Sequence, residues 1–366
     1  MRRTRCRIGW QYLIPLVLLA AALPGCYELI SWSANGRYIA FCEPDPGRLW
    51  LWDGRSERLQ VVCDNDMVMC RFLPWGKEIL YGVENNDVNL YTFRLDTGKH
   101  RKVVADLAPL TYDVSPNGQY LYYIVELEED GGFQLRRRRL WHPSQDQELY
   151  TGPHAMTFPA VSADETRFLL SVESDDRHAL CLLDVKEGAR EAARLDTLAE
   201  DADRGFAWPT WVDEERIFYI LAREGDEKVG TLCLHDMKEK ATSALCEDVV
   251  TYLRPSLRPD RKRVAVTVAD DFDVTETEAT HIASVDLEDG KVTGLTPEGS
   301  NTSMGVFSPD GRRVAYFAGS DDGLAGLHVL DLETGEHKVI WQEEAEEEEG
   351  GPVRVAAESV RSLSGV

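Results

Sequence analysis

The sequence predicts an all-β fold, a seven-bladed β-propeller of four-stranded antiparallel blades. Three observations predict it. A turn phrase recurs seven times, a second phrase ending in Asp recurs in phase with it, and helical periodicity is nearly absent.

The turn phrase is a short apolar run, a turn around Ser-Pro-Asp-Gly-Arg, and a second apolar run. Its clearest copies are Gly305–Phe317, Ile30–Phe41 and Tyr112–Tyr123. Weaker copies keep the hydrophobic frame at Phe72–Ile79, Val161–Phe168, Trp211–Ile217 and Leu257–Val264. Aligned on the glycine, the turns fall at positions 36, 76, 118, 165, 215, 261 and 311. Asn-Gly and Asp-Gly accept positive φ and close tight hairpins. A preceding Pro has no N–H to give a ladder, so it sits where a strand ends.

The second phrase alternates apolar residues and ends in Asp. It gives Asp53, Asp96, Asp184, Asp236, Asp286 and Asp331, while the third repeat departs from it with Leu140-Trp-His-Pro143. An Asp there can accept backbone N–H groups of the following turn. In the last repeat strand a is expected to about Ser308, strand b from Val314, strand c to Asp331 and strand d near Lys338–Trp341. One such sheet cannot bury both faces, and stacking sheets around an axis solves this. Glu187–Leu198 is the one stretch that reads as a helix or long loop.

The pattern Trp32-Ser-Ala-Asn-Gly-Arg-Tyr-Ile-Ala-Phe41 resembles the WD40-like (PD40-type) propeller repeats of the TolB-like family. Similar repeats occur in the propellers of dipeptidyl-peptidase-type enzymes. The resemblance covers residues 28–342 and implies the propeller fold, which hosts binding, scaffolding and catalysis alike.

The N-terminus reads separately. Arg2, Arg3, Arg5 and Arg7 form a basic region, and Leu13–Ala22 a short apolar one. Leu23-Pro24-Gly25-Cys26 resembles a bacterial lipobox, with Pro24 in place of the usual small or hydroxyl residue. The resemblance implies cleavage after residue 25, a thioether lipid on Cys26, and a lipid-anchored protein of the bacterial cell envelope facing periplasm or exterior. The expected organisation is a signal peptide over 1–25, a propeller over 26–342 and an acidic, disordered tail over 343–366.

Without residues 1–25 the chain has 36 basic and 64 acidic residues, a net charge of −28. Such a surface is repelled by nucleic-acid phosphate, so no nucleic-acid partner is expected. Six cysteines remain after Cys6 and Cys26: Cys42, Cys63, Cys70, Cys181, Cys233 and Cys246. In an exported chain they may pair in fifteen ways, and Cys63 with Cys70 is favoured by proximity in sequence. Cys181 and Cys233 share one place in successive repeats and read as buried thiols.

The search for chemistry returns little. There is no phosphate loop and no G-x-S-x-G elbow, and Gly319-Ser-Asp-Asp-Gly323 reads as a hairpin turn. The eight His are scattered, and Asp270-Asp-Phe-Asp273 with Glu276 and Glu278 reads as a solvated loop rather than a calcium site. Arg136–Arg139 is the one basic run, expected to pair with the acids of Glu126–Asp130 across its hairpin. Asp113, Arg254 and Arg258 are the polar residues visible on innermost strands. The chain is therefore expected to be no enzyme, with no catalytic residue, cofactor or metal, and to bind a protein partner at the envelope. Alternatives are a sensor propeller serving a separate catalytic protein, or a channel-mouth enzyme acting on polysaccharide or peptide.

Overall fold

The computed structural model describes residues 28–43, 47–65, 67–85, 87–107, 111–127, 132–174, 176–185, 194–270, 279–319 and 325–343. The leader with Cys26, the loop 271–278, residues 320–324 and the tail from 344 lie outside the described residues. The described residues hold 28 strands and no helix. The strands form seven consecutive groups of four, each an antiparallel meander in order a-b-c-d. Blades 5 and 6 are also joined, through the single bridge Val249↔Val268. In the last blade the strands are Thr302–Phe307, Arg313–Gly319, Ala325–Asp331 and His337–Gln342, as the repeat phrase predicts.

The Ser of the turn phrase explains why the turn recurs. Ser33 Oγ donates to Asn35 Oδ1 at 2.8 Å and accepts the Tyr38 N–H at 2.9 Å. Ser115, Ser162 and Ser308 repeat both bonds, and all four are buried. Buried hydroxyls need such partners. The fourth turn residue takes the left-handed conformation, with φ of 66° at Gly36 and 68° at Gly311. Glu165 and Arg261 keep that conformation without glycine, at φ 62° and 59°. At Glu165 the carboxylate accepts Asn117 Nδ2 at 2.6 Å and the Tyr122 hydroxyl at 2.7 Å from the preceding blade, which helps hold it there.

The Asp that ends strand c works as its position predicts. Asp236 Oδ1 accepts the N–H groups of Lys238 and Glu239 at 2.9 Å, and Asp331 those of Glu333 and Thr334. Four residues after the Asp the chain again turns left-handed, at Gly290 (φ 70°), Gly335 (φ 73°), Glu57 (φ 54°) and Lys240 (φ 54°). Lys240 is exposed. A Cβ in this conformation costs ~1–2 kcal/mol, so Lys240→Gly should raise stability by about 1 kcal/mol. Urea unfolding measures it, and an unchanged or earlier midpoint refutes it.

Two local readings are corrected. Arg194–Asp201 is strand d of blade 4, paired with Arg177–Asp184, so the second part of the suspected helix is extended. The basic run lies on strand c of blade 3, but its acid comes from the following strand. Asp146 accepts Arg136 Nε at 3.2 Å and Arg138 Nη2 at 2.8 Å. Register places Arg138 opposite Asp146, whereas residues 128–130 lie outside the described segments.

The six cysteines of the propeller are free thiols. Cys63 sits half-buried on the outermost strand of blade 1, and Cys70 on the innermost strand of blade 2. Register sets Cys63 opposite Leu49 in the sheet of blade 1 and Cys70 opposite Tyr81 in the sheet of blade 2, so the two belong to different sheets. Proximity in sequence is therefore not proximity in space, and the favoured pair is not formed. Cys181 and Cys233 are buried as expected, and burial raises both thiols, Cys233 to about 11.

Among the described residues no strand is exchanged between the first and last blades; each forms its own four-stranded sheet. The seam is closed by side chains instead. Trp32 Nε1 donates to the Val306 carbonyl at 3.1 Å, and the Arg313 guanidinium lies 4.9 Å from the Trp32 ring. Phe41 packs on Phe317 and Trp341, with ring centroids 6.3 and 5.6 Å apart. Lys338 reaches Glu57 at 2.5 Å. The blade 4–5 junction repeats the motif. There Trp211 Nε1 donates to the Ala160 carbonyl at 2.9 Å, and Arg167 lies 4.8 Å from its ring.

Candidate functional site at the channel mouth

The innermost strands line a central channel, and counting back from the turn position places their residues in layers. Five residues before the turn stand Ser31, Arg71, Asp113, Ala160, Thr210, Ser256 and Val306. This layer laces blade to blade. Ser31 Oγ accepts the Phe72 N–H at 2.9 Å, Asp113 Oδ2 the Val161 N–H at 3.2 Å, and Ser256 Oγ the Phe307 N–H at 3.1 Å. Each bond satisfies an inward N–H that the strand's own sheet does not pair.

Its two charged members form a buried network. Arg71 donates through Nη1 to Asp113 Oδ1 and through Nε to Glu28 Oε2, both at 2.7 Å. Arg254 reaches the same Glu28 oxygen at 3.2 Å. Burial works against the charge of Arg71, but Glu28 and Asp113 more than offset it and hold the guanidinium charged. Burial raises Glu28 above the ordinary carboxylate range, against the pull of Arg71.

Seven residues before the turn stand Leu29, Met69, Thr111, Phe158, Trp208, Arg254 and Met304. Here the backbone departs from regular strand. Phe158, Trp208 and Met304 have φ of 49°, 52° and 59°, each inside a β-bulge between strands a and b. Such a conformation costs a bulky residue ~1–3 kcal/mol, and it persists only where the surroundings impose it. Bulges concentrate where a side chain is re-aimed. In blades 4, 5 and 6 the same step is Phe158-Pro159, Trp208-Pro209 and Arg254-Pro255. The Pro lacks the N–H that would continue the ladder, which accounts for the slip in blades 4 and 5.

The result is a nearly buried aromatic pair beside a partly exposed arginine. The Phe158 and Trp208 rings meet edge to face at 4.8 Å. Trp208 Nε1 donates to the Thr251 carbonyl at 2.8 Å, and Arg254 stands 5.8 Å from the indole. The Arg254 side chain keeps 31% of its surface exposed. A cavity of about 380 Å³ opens beside it, lined by Glu28, Arg71, Thr210, Arg254, Met304 and Val306 among others. A smaller one, about 40 Å³, lies between Tyr112, Phe158, Trp208 and Glu28.

Of the innermost polar residues legible in the sequence, Asp113 and Arg254 lie in this site. Arg258 does not; it bonds the Gly311 carbonyl at 3.1 Å in the next blade's turn. Glu28 and Arg71 were missed, since the first precedes strand a and the second sits in an apolar run. The repeated bulky-residue-Pro step was the signal that could have found the aromatic pair. His281 is held by Asp270 through a short hydrogen bond away from the channel layers.

No protein-family model matches the sequence, and no curated relative does. Solved structures match strongly. A Mycobacterium tuberculosis puromycin-hydrolyzing peptidase is 14% identical with a TM-score of 0.63, over 89% of this chain and 55% of its own. An oligogalacturonate lyase from Vibrio parahaemolyticus is 9% identical with a TM-score of 0.62, over 86% of this chain and 94% of its own. TolB from Acinetobacter baumannii is 14% identical with a TM-score of 0.52, over 83% of this chain and 80% of its own. The fold is a TolB-type propeller. At these identities the likeness establishes the fold alone.

The comparisons correct one expectation. The expectation of no enzyme rests on the absence of a nucleophile elbow or other recognised catalytic motif. The lyase matches over 94% of its own length, so the fold on its own is found in an enzyme and the expectation does not hold. A missing elbow speaks only to one chemistry. The chain spans about half the length of the peptidase, whose activity belongs to that whole protein.

Proposed function

We propose that this chain is a binding propeller of the bacterial cell envelope, anchored by a lipid on Cys26, whose channel mouth receives a segment of a partner protein. The observation that carries the reading is the set of three left-handed bulges at one register position, Phe158, Trp208 and Met304, whose residues line the cavities beside Glu28 and Arg254. Strain repeated at one register position is a cost the fold does not need for closure. Interfaces concentrate their energy in aromatic and Arg residues beside desolvated pockets, and Trp208 with Arg254 supplies that pair. The basic and apolar N-terminal segments ending at Cys26 support export and anchoring.

The test is capture of partners from envelope extract by the full chain. Wild type and Lys240→Gly should retain the same partner, while Trp208→Ala and Arg254→Glu should each weaken retention at least tenfold, as loss of a hot spot does. In the same cells Cys26→Ala should move the chain from the membrane to the soluble fraction. Equal capture by all variants would remove the channel mouth as the binding surface.

A further inference from the structure

Two buried thiols meet behind the channel mouth. Cys42 ends strand b of blade 1 and Cys70 lies on strand a of blade 2, and neither exposes any surface. Both are tied to one carbonyl. The Leu29 oxygen accepts the Cys42 N–H at 2.8 Å and the Cys70 thiol at 3.4 Å. The next carbonyl back, of Glu28, accepts the Cys70 N–H at 2.8 Å. The Cys42 backbone and the Cys70 sulfur thus meet at one oxygen, and the two side chains belong to one buried cluster, the neighbourhood a disulfide across the blade boundary needs. Burial raises the Cys70 thiol well above its ordinary value, and the neighbouring Cys42 raises it further.

We propose that Cys42 and Cys70 are a disulfide site that links blade 1 covalently to blade 2 when the chain folds in an oxidising compartment. The raised, buried thiols exchange slowly once folded, so the bond forms during folding, while the thiolates are still exposed. The balance is simple. The two thiols lose two protons and two electrons to form one S–S bond, and a low-molecular-weight or protein disulfide accepts them and becomes two thiols. The bond fixes the segment that carries Glu28 against the strand that carries Arg71, and so the ion pair at the channel mouth. The other cysteines offer no such match: Cys63 is on an outermost strand, with Asn65 Nδ2 at 3.1 Å from its sulfur.

The experiment is refolding of the full chain from denaturant in a reduced and oxidised glutathione buffer, then peptide mapping without reduction. The expected product is a single cross-linked species joining the peptides of Cys42 and Cys70. It should be lost in Cys42→Ser and in Cys70→Ser but kept in Cys63→Ser. The oxidised wild type should melt roughly 5 °C above its reduced form, because the bond constrains a loop of some thirty residues in the unfolded chain. If either single variant fails to refold, the wild-type map alone decides. A product dominated by Cys63–Cys70, or wild type refolded with every thiol free, overturns the proposal.

Discussion

Arg71→Met should cost about 3–5 kcal/mol of stability, among the largest losses any single change in this chain produces. Arg71 bridges Glu28 and Asp113, and its side chain is 16% exposed, beside carboxylates at 23% and 11%. Methionine fills the volume but leaves two carboxylates in a poorly solvated place. Asp113 would keep the N–H groups of Val114 and Val161, while Glu28 would keep the more distant Arg254. The loss should depend on pH with a definite sign. Glu28 already titrates above its unfolded value, and removing Arg71 raises it further. A carboxyl whose folded pKa lies above its unfolded one binds more protons in the folded state, so stability rises as pH falls. The cost of Arg71→Met should therefore shrink between pH 8 and pH 5. Urea unfolding at both pH values measures this, and a pH-independent cost would show that Glu28 is not the group left stranded. Glu28→Gln in the Arg71→Met background should recover part of the stability.

The seam supplies the second large effect. Trp32→Ala removes a side chain only 6% exposed, its hydrogen bond to Val306 and the surface on which Arg313 stacks. Truncating a buried Trp costs ~3–5 kcal/mol, a fall in Tm of roughly 5–10 °C for a domain of this size. Trp211→Ala is the natural control, because it makes the same contacts between blades 4 and 5. Those blades stay joined by the chain, whereas blades 7 and 1 do not. Trp32→Ala should thus also lower the denaturant m-value, since an opened seam exposes surface in the native state. Equal m-values for the two variants would mean that the remaining aromatic contacts close the ring without Trp32.

Why the propeller was legible and its site was not follows from how each is encoded. Ser33, Asn35 and Gly36 build a turn from bonds within six residues, and the Ser repeats at 115, 162 and 308. Asp53, Asp236, Asp286 and Asp331 likewise bond turn groups two or three residues on. Local chemistry repeated at a fixed spacing is readable along the chain. The Glu28–Arg71–Asp113 network joins three blades, and its partners are 43 and 42 residues apart. Nothing in the local pattern of Met67–Phe72 marks Arg71 as facing inward. The cysteines show the same limit: Cys63 and Cys70 are neighbours in sequence on different sheets, while Cys42 and Cys70 meet across a blade boundary.

The seam between first and last blades is, in effect, a d-to-a junction that lacks only its peptide link. The six covalent junctions are short, from two residues at 65–66 to seven at 295–301. A linker of that order from Gln342 to Ile30 would join the seam in the same way, and any of the six existing links could then be cut. The molecule's order of blades is thus a cycle on which the chain's beginning is one choice among seven. Rotating that starting point would place Glu28 inside a covalent junction while leaving every layer of the channel intact.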